Sequence, residues 1–310
     1  MERKKIIWAA LIVIAAACSA VPLTGRKQFT AIPSSQMNAL SKDSYNEVIK
    51  ESKLSTNQNY ISTVNSVGQN ISTAVVEFMR ANKMSEVISG YSWEYRVLES
   101  DQINAWCMPG GKIAFYEGIM PICADDNGVA VVMSHEIAHA IAKHGNERLS
   151  QQLAIQLGGM ALAEALSKEK ETTQQLALLA FGVGSQLGVV LPYSRTHEKE
   201  ADKLGLYFMA MAGYNPNEAV AFWKRMAEKS RGQEPPQFLS THPNTEERII
   251  ALQKNMNDAM KYYNKDKAKS LKNNKLKQPL KDNSKPEKKG NTSKPVKKTT
   301  GETPKKPTTK

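Results

Sequence analysis

The stretch Asn127-Gly128-Val129-Ala130-Val131-Val132-Met133-Ser134-His135-Glu136-Ile137-Ala138-His139-Ala140-Ile141-Ala142-Lys143-His144 decides how the chain is read. It is apolar almost throughout, and Asp125, Asp126 and Asn127 are acidic and capping candidates for a helix start. Inside it sits His135-Glu136-Ile137-Ala138-His139. A helix turns once in about 3.6 residues, so the two histidines share a face and two imidazoles can hold one Zn²⁺. Glu136 lies beside them, placed to take a proton from an attacking water.

A catalytic zinc usually takes three protein ligands and keeps one position open, so a third ligand is needed. The metzincin pattern would put glycine at 142 and histidine at 145. The chain has Ala142 and Gly145, with His144 one residue out of register, so that class is rejected. His197-Glu198-Lys199-Glu200-Ala201-Asp202 is the best remaining source. Glu198 and Asp202 are four apart on one helical face, so one can bind metal while the other steadies a ligand histidine. By the same phase, His197 and Glu200 point elsewhere and read as surface residues.

Upstream, residues 1–5 hold Arg3, Lys4 and Lys5, and residues 6–17 form an unbroken apolar run ending at Cys18. A basic start, a short apolar stretch and small residues form a secretory signal peptide, too short to span a bilayer comfortably. Cys18 after Ala15-Ala16-Ala17 resembles the lipidated first residue of a bacterial lipoprotein, although Ala15 stands where such signals usually carry leucine. Residues 18–33 then read as lipid anchor and tether. Ser19 rather than aspartate after Cys18 is compatible with an outer-membrane address facing the periplasm. Cys107 and Cys123 are the other cysteines; a disulfide and two small buried thiols are both open readings.

Apolar spacing predicts helices over 34–53, 56–83, 194–212, 216–229 and 243–263, with one or two more over 151–190. Alternation at Trp93, Tyr95 and Val97 predicts a strand over 91–98, and Ile113 to Tyr116 reads as a second. Leu176 to Pro192 is long and apolar, but Gly182, Gly184, Gly188, Ser185 and Gln186 make it read as a core helix or a wall of the cleft rather than a span.

The 310 residues suggest one or two domains, and a mean hydropathy of −0.46 excludes a multi-span transporter. The net charge of +12 comes from the end of the chain, where the last 50 residues carry 17 Lys against 4 acids. The remaining body is nearly neutral, so a nucleic-acid-binding core is disfavoured. Beyond Tyr263 there is no aromatic residue and five prolines are scattered among the lysines. That composition predicts a disordered Lys/Pro-rich tail over 264–310.

His-Glu-x-x-His at 135–139, the Glu198–Asp202 helix opening with Tyr193-Ser194-Arg195-Thr196, and Ser240-Thr241-His242-Pro243 together resemble the zinc metallopeptidase family of the CAAX prenyl proteases and HtpX. Pro22-Leu23-Thr24-Gly25-Arg26-Lys27-Gln28 and Asn104-Ala105-Trp106-Cys107-Met108-Pro109-Gly110-Gly111-Lys112 are similar to its secreted bacterial lipoprotein branch. The resemblance implies an α+β fold: a mostly helical, zincin-like (gluzincin) domain over 34–263 with a small β-sheet at the cleft edge. It implies Glu198 as third zinc ligand beside His135 and His139, with Asp202 as the partner behind a ligand. It implies that the strand around 111–116 borders the cleft, where substrate could add as an extra strand. It also implies that His242, by itself only a loop histidine, faces the metal, either steadying an oxyanion or filling the open position.

The expected activity is zinc-dependent endopeptidase cleavage, with Glu136 as base and polypeptides, misfolded or unassembled envelope proteins, as substrates. Two rival classes are a chaperone-like binder of outer-membrane proteins with a self-blocked zinc site, and an envelope interaction protein acting through the basic tail.

Overall fold

The computed structural model describes residues 18–230, 236–243 and 245–277. The signal sequence over 1–17 and most of the Lys/Pro-rich tail lie outside the described residues. In chain order the strands are β1 (Cys18–Ala20), β2 (Lys27–Phe29), β3 (Glu94–Leu98), β4 (Ala105–Met108) and β5 (Lys112–Tyr116). The helices are α1 (Ser34–Glu51), α2 (Gln58–Ala81), α3 (Met120–Cys123), α4 (Asp126–Ile141), α5 (His144–Ala165), α6 (Glu171–Ser185), α7 (Leu191–Met211), α8 (Glu218–Lys229), α9 (Gln237–Thr241), α10 (Thr245–Met260) and α11 (Lys265–Lys277). A π-turn over Gln186–Val190 joins α6 to α7.

Helix α4 starts where Asp125, in extended conformation, accepts hydrogen bonds from the N–H groups of Asn127 at 2.8 Å and Gly128 at 3.0 Å. Every residue from Gly128 to Ile141 is buried, as the unbroken apolar run demands. Its main neighbour is α7, with α2 and β4 on other sides. Gly205 permits the α4–α7 approach: a Cβ there would lie 3.2 Å from the Cα of His135. Helix α7 is covered in turn by α10 and α2.

The sheet has the order β3-β5-β4, with β5 parallel to β3 and antiparallel to β4. This corrects the expected cleft edge. Strand β5, read as the cleft strand, is paired on both sides and has no free ladder groups. The edge beside α4 is β4, where Ala105 sits opposite Phe115 and Met108 opposite Lys112. Cys107 on β4 and Cys123 on α3 are free thiols, Cys123 buried.

Two further expectations change. The apolar stretch of α6 is not a core helix: none of its residues is buried, and Leu176 and Leu179 are 67% and 66% exposed. With α5 it forms a helical hairpin. The tail does not leave the fold at 264 either. Asn264 accepts a hydrogen bond from the N–H of Lys267, capping α11. Ala268 is then buried and Leu271 packs on the core, three residues apart on one face. Lys267 pairs with Glu77 of α2 at 2.6 Å. An average over a lysine-rich segment dilutes such a short apolar pair.

Candidate active site

His135 and His139 project from α4, Glu198 and Asp202 from α7, and His242 from the turn after α9. Packing α4 along α7 brings His135, His139, Glu198 and Asp202 together, and the turn after α9 adds His242. The Nε2 atoms of His135 and His139 are 3.1 Å apart, and His135 Nε2 is 3.3 Å from His242 Nδ1. Glu198 lies 3.4 Å from each of the two α4 histidines and 2.8 Å from His242 Nδ1. A tetrahedron of zinc bonds near 2.0–2.1 Å has edges of about 3.3–3.4 Å, so these spacings suit one zinc ion. All four ligand atoms lie within 4.8 Å of one another in a buried group. Buried Oε1 atoms of Glu136 and Glu198 have no hydrogen-bond partner, which is the state expected of oxygens reserved for an ion and for substrate.

The outer contacts set the tautomers. Asp202 Oδ1 lies 3.1 Å from His135 Nδ1, so Nδ1 keeps its proton and Nε2 is the nitrogen that gives its proton up to bind a metal. His139 is held by a longer chain. Glu200 Oε2 is 3.0 Å from His144 Nε2, and a carboxylate accepts, so His144 donates there. Burial, with His197 and Arg26 nearby, holds the His144 pKa well below the usual histidine value, so the ring is neutral. Its Nδ1 is therefore an acceptor, 2.9 Å from His139 Nδ1, which must donate. His139 Nε2 is left free for the cluster.

Glu200 and His197 are thus not surface residues. His197 is 1% exposed, stacks on His144 with ring centroids 4.2 Å apart, and donates to Glu147 at 2.8 Å. Arg26, from the turn between β1 and β2, reaches Glu147 with both terminal nitrogens at 2.7 and 3.0 Å, and Glu200 with Nε at 2.8 Å. Thr24 also donates to Glu200. Helical phase correctly set His197 and Glu200 on another face of α7, but that face is covered by α5 and the N-terminal segment. All five histidines of the chain meet in this region.

Arg248, on α10, was not anticipated. Its guanidinium donates to Asp202 at 2.6 and 2.8 Å and to the His242 carbonyl, pairs with Glu198 at 3.0 Å, and lies 3.7 Å over the ring of Trp223. The sequence held a signal: Arg248 shares a helical face with Leu252 and Ala259, so a charge stands where the period demands an apolar residue.

Electrostatically the pocket favours a cation among its donors. Burial and Arg248 lower His135, yet hydrogen bonds to Asp202 and Glu198 lift it to about 9. Burial would raise Glu198, but His139 and His242 hold it well below the carboxylate range. His139 is driven well below its ordinary value, mainly by burial. Glu136 stays raised because burial outweighs the pull of His242 and His135. The Cys107 amide of β4 hydrogen-bonds Glu136, so the edge strand runs past this carboxyl. Cys18 starts β1, where it pairs with Phe29.

Comparison with known proteins agrees with this geometry. The chain is 29% identical over 235 residues to the mitochondrial metalloendopeptidase OMA1 of Schizosaccharomyces pombe, covering 75% of this chain and 65% of the relative. It is 33% identical over 196 residues to the Saccharomyces cerevisiae OMA1, covering 61% and 54%. It is also 32% identical over 161 residues to a putative beta-barrel assembly-enhancing protease of Vibrio cholerae, covering 49% and 32%. The chain thus spans between about a third and two thirds of these relatives. The profile of Peptidase family M48 matches residues 67–256, which hold β3 to β5, α4 and the whole donor cluster. A match over more than half the chain settles its membership: it belongs to Peptidase family M48.

Proposed function

We propose that the chain is a zinc endopeptidase of the bacterial envelope, lipid-anchored through Cys18, that cleaves misfolded or unassembled envelope proteins. The observation that carries the reading is the four-donor cluster with Glu136 beside it, its buried Oε1 without a hydrogen bond, and the β4 edge alongside. His135, His139 and Glu198 are the ligands in this reading. When bound, zinc polarises a peptide carbonyl and acidifies water toward neutral pH. Glu136 takes the proton of the attacking water; its raised pKa lets it return that proton to the leaving amine. The β4 edge offers backbone N–H and C=O groups to align an extended substrate with Glu136. Asp202 and Arg248 hold His135 and Glu198 in place, and the Glu200–His144 pair does the same for His139.

His242 Nδ1 occupies the fourth corner of the donor set, and its Nε2 is 3.4 Å from Glu136. That favours a resting, self-closed site from which His242 swings away to admit substrate. The envelope address follows the signal-like N-terminus and the relative named a beta-barrel assembly-enhancing protease. Hydrolysis of an unfolded polypeptide such as casein, with zinc and with a chelator, tests the activity. His242→Ala separates the two resting states: faster cleavage means a block, slower cleavage means His242 stabilises the reaction. No zinc-dependent cleavage by either protein would leave the chaperone-like reading. Membrane fractionation of Cys18→Ala tests the anchor.

A further inference from the structure

The α5–α6 hairpin is an apolar surface that no part of the described chain covers. Helix α5 leaves Leu153, Leu157 and Met160 exposed, at i, i+4 and i+7. Helix α6 and the π-turn leave Leu176, Leu179, Val183 and Leu187 exposed along one stripe. Residues 172–193 contain no charged side chain, and an 18-residue window here has a mean hydropathy of 1.6 with none of it buried. A helix apolar on this scale belongs either in a protein core or against lipid. Gly182, Gly184 and Gly188 have open space where a Cβ would go, so they serve no close packing within the chain. Glycine in an exposed helix facing water is a cost without return, whereas helices in membranes carry it more often than soluble ones do.

We propose that this hairpin lies in the interfacial layer of a lipid bilayer, with the exposed stripes of α5 and α6 in the acyl region. What selects lipid over a second copy is the place of Cys18, the lipid-bearing residue of the proposed function, on which this step rests. Cys18 opens β1 and pairs with Phe29 of β2. The segment after β2 is fastened to the base of α5: Asn146 donates to the Ile32 carbonyl at 2.7 Å, and the Ala31 N–H donates to Ser150 at 2.9 Å. The anchor residue and the apolar hairpin therefore lie on neighbouring parts of the body. Leu191, the last exposed leucine of the stripe, precedes Glu198 by seven residues, about 10 Å of helix. The donor cluster sits close to the bilayer surface, where substrates would be membrane-associated chains. The lipid contact itself stands apart from the peptidase reading, and its test does not involve hydrolysis.

The test uses the full chain in palmitoyl-oleoyl-phosphatidylcholine vesicles carrying a phosphatidylcholine with a diazirine in its acyl chain. Photolabelled sites are mapped by mass spectrometry. Label is expected within residues 153–160 and 176–191, and not at Ile250, which is equally exposed on α10. The triple variant Leu176→Asp, Leu179→Asp, Val183→Asp changes only exposed positions. It should keep its thermal midpoint and lose at least tenfold of the hairpin label, because charge is expelled from hydrocarbon. Two results overturn the proposal. One is protein held on the vesicles through Cys18 while the hairpin stays unlabelled. The other is cross-linking between hairpins of two copies in the same vesicles without lipid label.

Discussion

Replacing Glu200 with glutamine removes one charge from a buried network of two acids, one arginine and two histidines. Glu200 accepts from Arg26 at 2.8 Å, from His144 at 3.0 Å and from Thr24. Glutamine offers one acceptor oxygen and an NH2 that must face at least one donor. Breaking one side of a buried charge pair costs about 3–5 kcal/mol. Arg26 keeps Glu147, so the lower end, about 3 kcal/mol, is expected. At about 2–4 °C per kcal/mol for a domain of this size, the midpoint should fall by roughly 6–12 °C. The zinc site should respond as well, because His144 then no longer has a fixed acceptor and His139 loses its enforced tautomer. Loss of such an orienting partner typically weakens metal binding on the order of 10–100-fold. Thermal unfolding with zinc and with chelator, plus titration against a zinc indicator, reads both effects; the exposed Glu246→Gln is the control. Unchanged stability and unchanged zinc affinity in Glu200→Gln would refute the relay. A lower midpoint with wild-type zinc affinity would show that His144 does not transmit the effect.

Arg248→Met should lower stability by about 3–5 kcal/mol, since Asp202 and Glu198 lose their buried cation; a change under about 1 kcal/mol in denaturant unfolding contradicts the contact set. Gly213 has a φ of +88°, and a Cβ there would come within 2.6 Å of the Ala268 nitrogen. Gly213→Ala should therefore cost more in the full chain than in one ending at 264, and equal costs would show that α11 does not dock. Glu147 is pulled down to about 2 by His197 and Arg26 against its burial, from 4.5. A depressed carboxyl stabilises above its unfolded pKa, so that contribution is complete above about pH 4.5 and disappears as pH falls toward 2. Glu147→Gln should flatten the acid limb of a stability–pH curve in that window.

The metal site was readable because its chemistry is tied to helical spacing: His135 and His139 on one helix, Glu198 and Asp202 on another. What spacing could not reveal is what covers the remaining faces. His197 and Glu200 looked solvent-facing because the elements that bury them, α5 and the N-terminal segment, are distant in sequence, with partners 50 to 176 residues away. The same blindness ran the other way for Leu176 to Leu191, where apolar composition suggested a core that the fold does not supply. Arg248 came from α10 and reached Asp202 through tertiary packing alone. For the sheet, the period located β3 and β5, but pairing order, which makes β4 the edge, is not a local property. The start of α11 was hidden by averaging Ala268 and Leu271 into a tail of lysines.

Zinc content and casein hydrolysis measured side by side on wild type and Glu136→Gln test the central claim most directly. Glu136 is placed to move a proton and does not belong to the four-donor group. The variant should therefore bind one zinc per chain with near wild-type affinity, unfold at the same temperature or higher, and lose cleavage by several orders of magnitude. Cleavage near the wild-type rate in zinc-loaded Glu136→Gln, or absence of bound zinc in a folded wild type, would contradict the account.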